Sequence, residues 1–153
     1  MGESFFWKDK NKGILKADLF AATANEAAKR VASEDKKCDS YTQQQGFRSV
    51  RDRNGASEDK KCNSYTQLRK FYDEVLRYKT KISANEEDFE KYLPYIRMIN
   101  AKFAYSKARG HITVSCCNFF QGLINQIADK EDFYVFADFF EAFMAFYRQY
   151  RQK

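Results

Sequence analysis

The 153-residue sequence predicts an all-α fold: a single-domain bundle of about five helices with a long polar loop between the first two. Three observations point there. One Pro and six Gly leave few places where a long helix would break. A hydrophobic fraction of 44% is enough for one core in a chain of this size. Apolar residues recur at spacings of three and four, the period of a helix with one buried face.

The first helix is expected over residues 14–32. Ile14, Leu15, Leu19 and Ala22 form its stripe, its alanines raise propensity, and Gly13 marks its start. Phe5, Phe6 and Trp7 precede it; they either pack back onto the core or form an exposed aromatic hook, and packing fits better.

An internal duplication follows. "ASEDKKCDSYTQ" (32–43) recurs as "ASEDKKCNSYTQ" (56–67), with Asp39 against Asn63 as the one difference. A solenoid needs at least three units, each with an apolar face to bury. These units have almost no apolar residues, and their continuations diverge. The duplication therefore reads as a lengthened, mobile polar loop, 33–63.

The second helix opens at Ser64, where Ser64 and Gln67 have the form of a capping box. Leu68, Phe71, Tyr72, Val75 and Leu76 then mark a buried stripe. A third helix is expected over 93–109, with Pro94 in its first turn and Gly110 ending it. Its inner stripe is Ile96, Ile99 and Phe103. Lys102, Tyr105 and Arg109 share another face. A fourth helix covers 114–128, capped by Thr113, with Phe120, Leu123, Ile124 and Ile127 inward. Asp129 caps a fifth, which runs to about residue 150. There Phe133, Phe136, Phe140, Phe143 and Tyr147 make the stripe. Tyr134, Phe139, Phe146 and Tyr150 add rings beyond it, so this C-terminal helix is expected to self-associate or meet another subunit.

The net charge of +6 and pI near 9.1 favour a polyanionic partner, nucleic acid or an acidic surface. The N-terminus has no apolar signal region, and no stretch approaches the roughly 18–20 apolar residues of a membrane span, so a cytoplasmic protein without membrane contact is expected. "MGESFF" has Phe6 where myristoylation wants Ser or Thr. Cys38, Cys62, Cys116 and Cys117 form no Cys-x-x-Cys pair, and His111 is the sole histidine. That inventory argues against zinc, and the thiols are expected to be reduced.

Catalysis finds little support. His111, just past a helix-ending glycine, has no evident nucleophile to serve, and a surface or capping role accounts for it. Glu86, Glu87 and Asp88 are adjacent, as at a helix start, rather than converging from separate elements. No glycine loop cradles a phosphate. The expectation is no enzyme, no cofactor and no metal.

The cations carry more information. Between Glu90 and Asp129 there is no Asp or Glu, yet Lys91, Arg97, Lys102, Lys107 and Arg109 lie there. Arg69 and Lys70 have Asp73 and Glu74 four residues on as local partners. Lys102, Lys107 and Arg109 have none on their own helix, as a phosphate-binding strip requires. Tyr105, between Lys102 and Arg109, either stacks on a base or sugar or sits half-buried with its hydroxyl at the rim.

Three segments, "TQLRKFYDEV" (66–75), "AKFAYSKARG" (101–110) and "FADFFEAFMAFYR" (136–148), resemble the signature segments of the small helical subunit of type III-A CRISPR effector (Csm) complexes. They occur in that family's order at roughly its spacing, and the resemblance covers residues 64–152. It implies a non-catalytic bundle of about five helices that binds crRNA and single-stranded target RNA and contacts other subunits of the complex. The matching basic positions are Arg69 and Lys70 in the first segment, and Lys102, Tyr105 and Arg109 in the second; Lys107 lies beside them. Glu141 matches the acidic position of the third, as a structural residue pairing with a cation of another helix. The region up to Asn63 departs from the pattern. The expected role is scaffold binding to an RNA backbone without reading bases. The rival is a helical protein–protein adaptor that docks an acidic partner without RNA.

Overall fold

The computed structural model describes residues 4–44 and 63–151, with side chains over 4–34 and 63–151. Among the described residues the elements are β1 (Trp7–Asp9), β2 (Ile14–Leu15), a π-helical turn (Leu19–Thr23), α1 (Ala24–Gln44), α2 (Tyr65–Ala84), a 3-10 turn (Glu86–Asp88), α3 (Phe89–Ala108), α4 (Val114–Asn125) and α5 (Lys130–Arg151). The all-α bundle of five helices is confirmed, with one small antiparallel hairpin added. No helix among the described residues is long and apolar enough to cross a membrane.

The N-terminal third differs most from expectation. Residues 14–23 do not begin the first helix. Gly13 adopts a left-handed φ of 66° and closes a turn, with its N–H donating to the Lys10 carbonyl at 3.0 Å. Ile14 and Leu15 thereby become a strand, pairing with Asp9 and Trp7 across a register irregularity. The helix proper starts at Ala24 and continues to Gln44, through the first copy of the duplication, where a loop was expected. That copy has no Pro or Gly, so an established helix extends through it at low cost. The remainder of the expected loop, 45–62, lies outside the described residues, as do the Cys38 and Cys62 side chains.

Pro94 lies inside α3, not in its first turn: α3 starts at Phe89, four residues ahead of the expected start. Pro94 removes the bond to the Glu90 carbonyl, and both residues are exposed, so water can take its place. The other ends match. Thr113 accepts the Cys116 N–H at 3.1 Å, and Asp129 accepts that of Asp132 at 3.0 Å. α4 ends at Asn125, with Ile127 still fully buried beyond it.

A chain of rings runs through the core, linking four helices. Phe71 of α2 stacks on Phe103 of α3 at 4.1 Å, and Phe103 on Phe120 of α4 at 5.2 Å. Phe120 then meets Phe140 and Phe143 of α5 at 4.7 and 5.0 Å. Each such pair contributes about 0.5–1.5 kcal/mol beyond its buried area. The Cys116 and Cys117 thiols are free and buried, and burial pushes the Cys117 pKa up.

The ring excess on α5 is absorbed within the chain. Phe139 is fully buried, and Phe5 packs edge-on against it at 5.3 Å; Tyr134, Phe146 and Tyr150 are half-buried against the core. α1 and the N-terminal segment cover the side on which another subunit was expected, which removes the observation that motivated self-association through this helix. Phe6 is buried, so the N-terminal aromatics pack back rather than form a hook. Trp7 donates its indole N–H to Asp132 at 2.7 Å, and Lys10 bridges Asp129 and Asp132, each at 2.8 Å.

Burial alone would raise the Asp129 pKa. The Lys10 hydrogen bond and the Asp132 backbone N–H outweigh it and hold the carboxyl below its usual value. A depressed carboxylate pKa contributes stability that is present above the unfolded value, near 3.9, and lost as pH falls through the folded one. Trp7 is the single tryptophan. Its emission is therefore expected to shift to the red below about pH 4, ahead of the loss of helical ellipticity. Coincident transitions would show that this contact is not an acid-sensitive clasp.

Candidate nucleic-acid interface

The interface is built where α2 begins and α3 ends. Ser64 accepts the Gln67 N–H at 3.2 Å, the expected cap. The reciprocal bond of a capping box is replaced: the Ser64 N–H donates to the His111 carbonyl at 2.8 Å. α3 closes in a Schellman motif, Gly110 N–H to the Lys107 carbonyl and His111 N–H to the Ser106 carbonyl, each at 3.0 Å. Gly110 takes the left-handed φ of 76° that this closure needs. His111 thus serves the interface through its backbone.

Asn63 locks this junction. It is fully buried, and its Oδ1 accepts the Thr113 N–H at 2.8 Å. Its carbonyl accepts from the Tyr147 hydroxyl at 3.0 Å and from Arg151 Nη1. Thr113 donates its hydroxyl to Glu34 of α1 at 2.7 Å. One short segment therefore ties α2, the α3–α4 turn, α5 and α1 together. Asn63 is also the position at which the two copies of the duplication differ. A neutral amide suits a sealed site close to Glu34, whereas an aspartate would bring in a second carboxylate.

This junction brings the predicted basic residues to one end of the bundle. Arg69 and Lys70 stand in the first turns of α2; Tyr105 and Lys107 stand in the last turn of the neighbouring α3 and Arg109 caps it, with Lys107 on the α4 side of the helix, away from Tyr105 and Arg109. Arg69 bonds Asp73 at 3.1 Å and lies over the Tyr72 ring at 5.3 Å, so its local partner is Asp73 as the spacing allowed. Lys70 is exposed, Lys107 is half-buried and Arg109 is exposed, and none of the three has a carboxylate partner among the described residues. Arg109 folds over Tyr105, with its carbon centre 5.5 Å from the ring and Nη1 3.2 Å from the hydroxyl. Tyr105 is well exposed rather than at a half-buried rim.

Lys102 is the correction. It has no partner on its own helix, but Glu74 of α2 reaches across and accepts from its Nζ. Glu74 is nearly buried and also faces Arg77 at 3.7 Å. A partner from another helix is invisible to local spacing. Arg97 is used internally too, donating to the Ile127 carbonyl at 2.9 Å. Glu141 was expected to pair with a cation of another helix. It faces Lys79 and Tyr72 electrostatically, but the ion pair to Lys79, at 2.8 Å, is made by Asp138.

Sequence reasoning missed Asn63 as the organiser of this end, although its divergence between the repeats was a visible signal. It also missed Tyr95 and Met98, which are exposed on the outer side of α3 and continue the spacing of Lys102 and Tyr105 toward the N-terminus.

The fold is a small helical bundle with Arg69, Lys70, Lys107 and Arg109 near one end. The chain's identity comes from comparison: the sequence profile of the family Csm2 Type III-A matches residues 42–153, and the chain belongs to that family. It is accordingly a small subunit of a type III-A CRISPR-Cas complex, from a structural-subunit family that associates with the other subunits of that complex. The match starts well before Ser64, so the second copy of the duplication lies inside the family region, contrary to the departure expected up to Asn63. No curated protein and no solved structure matches the chain.

Two substitutions check this geometry. Asn63→Asp changes one atom type and is expected to lower the unfolding free energy by about 1–3 kcal/mol at neutral pH, with the deficit shrinking in acid as the new carboxyl protonates. A double-mutant cycle of Lys102→Met with Glu74→Gln is expected to return a coupling of about 0.5–1 kcal/mol in urea unfolding. Zero coupling would mean that Lys102 is free for an external partner.

Proposed function

We propose that this chain is a non-catalytic scaffold subunit that lies along the crRNA and single-stranded target RNA of its complex and neutralises their backbone from the α2–α3 corner. The observation that carries the reading is the trio Lys70, Lys107 and Arg109: three cations gathered at one end with no carboxylate partner among the described residues. The nearest acids on α2 are already engaged, Asp73 by Arg69 and Glu74 by Lys102 and Arg77. A phosphate chain supplies the missing charge at regular spacing, and releases counterions as it does so. Arg69 is exposed, and its pair with Asp73 is of a kind worth little, so a phosphate competes for it. Tyr105, held by Arg109, presents a ring and a hydroxyl beside the same backbone.

Membership of a structural-subunit family supports the non-catalytic part of this reading. Contacts to neighbouring subunits are a separate matter from the RNA surface, and copies placed along one strand would add avidity.

Replacing Lys70, Lys107 and Arg109 with alanine is expected to weaken single-stranded RNA binding and to reduce the slope of log K against log salt by about 2, at about 0.7 per phosphate contact. Lys102→Ala should leave that slope nearly unchanged. An acidic peptide that binds the parent chain under conditions where RNA does not, with loss in the same triple variant, would favour the adaptor reading.

A further inference from the structure

α3 exposes a lane that the cation argument does not use. Tyr95 is 51% exposed, Met98 47% and Tyr105 62%. With the exposed Ala101 between them, they follow one another at three- and four-residue spacing, so they share one face. Isolated surface apolar groups need no explanation, but these three are half of the large exposed hydrophobics among the described residues, and they lie on one helix face. α3 buries Ile96, Ile99 and Phe103 on its other side, so the lane is not the edge of the core.

We propose that this face is a stacking track: bases of a single-stranded RNA lie on Tyr105 and Tyr95, with Met98 and Ala101 as the apolar floor between them. The inference rests on the RNA-binding reading above and extends it from the basic corner along α3. Charge complementarity selects the occupant. After Glu90 the helix holds no carboxylate, and Lys91 and Arg109 share the lane's face at its two ends. The favourable end for a polyanion is that of Arg109, since Glu86, Glu87, Asp88 and Glu90 precede Lys91 at the other. Ten residues of helix between the two tyrosines span about 15 Å, room for about four nucleotides at about 3.4 Å each. Arg109 already holds Tyr105 through its hydroxyl and ring face, so little ring freedom is lost on binding. Aromatic rings accept any base, so the track adds affinity without sequence preference.

Two strands of about twelve nucleotides, one of ordinary RNA and one with abasic riboses throughout, separate stacking from charge. The full chain is expected to bind the ordinary strand roughly tenfold or more tighter than the abasic one at every salt concentration. The double variant Tyr95→Leu and Tyr105→Leu should lose that difference while keeping the salt slope, and Tyr95→Phe with Tyr105→Phe should retain it. Both replacements are at exposed sites, and unchanged ellipticity confirms folding. Equal binding of the two strands by the parent overturns the track and leaves the cationic reading standing; no binding of either strand at low salt overturns both. If Met98→Glu instead converts a dimer into a monomer in sedimentation without changing RNA affinity, the lane is a seam between copies and the proposal fails.

Discussion

The electropositive corner depends on the buried hydrogen-bonded junction at Asn63 and Ser64. Two antiparallel helices can pack against each other in several registers, and the ring stack of Phe71 on Phe103 alone would tolerate a slip if another ring replaced one of them. The junction does not tolerate it. The Ser64 N–H has one carbonyl to reach, that of His111, and the Asn63 amide one N–H, that of Thr113. Asn63 is fully buried, and a buried polar group left unmet costs roughly 1–3 kcal/mol. Apolar packing therefore supplies most of the stability, while the polar junction selects one register. That register puts the start of α2 beside the end of α3.

What the sequence made legible was the polarity of each helix face. The inward residues of α2, α3, α4 and α5 were readable because a 3.6-residue period leaves the same signature whatever the helix packs against. Gly110, Thr113 and Asp129 were readable for a related reason: their roles are local. The failures all involve what one element does to another. Ile14 and Leu15 look like the first turn of a helix until Gly13 turns the chain back and pairs them with Trp7 and Asp9. The surplus rings of α5 look like an interface until Phe5 and α1 cover them. Lys102 looks uncompensated until Glu74 arrives from the neighbouring helix. Periodicity reports that a face is apolar or charged; it carries no information about the neighbour.

The correction at Lys102 sharpens the electrostatic picture. A cation in the middle of α3 sits beside the middle of α2, where Glu74 lies nearly buried, and a partly desolvated pair holds its charge against screening. At the corner, among the described residues, no carboxylate pairs with Lys70, Lys107 or Arg109. Lys70 belongs to the first turns of α2, and Lys107 and Arg109 to the end of α3, so all three add positive charge at this end of the bundle.

The helix ends decide whether that field survives. The C-terminus of α3 contributes about −0.5 of a charge beside Lys107 and Arg109, which on its own would make them ordinary dipole-capping residues. Two N-termini share the corner, however: α2 behind Ser64 and α4 behind Thr113, each contributing about +0.5. The last turn of α5 reaches the same junction, where Tyr147 and Arg151 donate to the Asn63 carbonyl, and brings a second C-terminus. Two helix starts and two helix ends roughly cancel. The positive field at this end therefore comes from its side chains, and the backbone neither adds to it nor removes it.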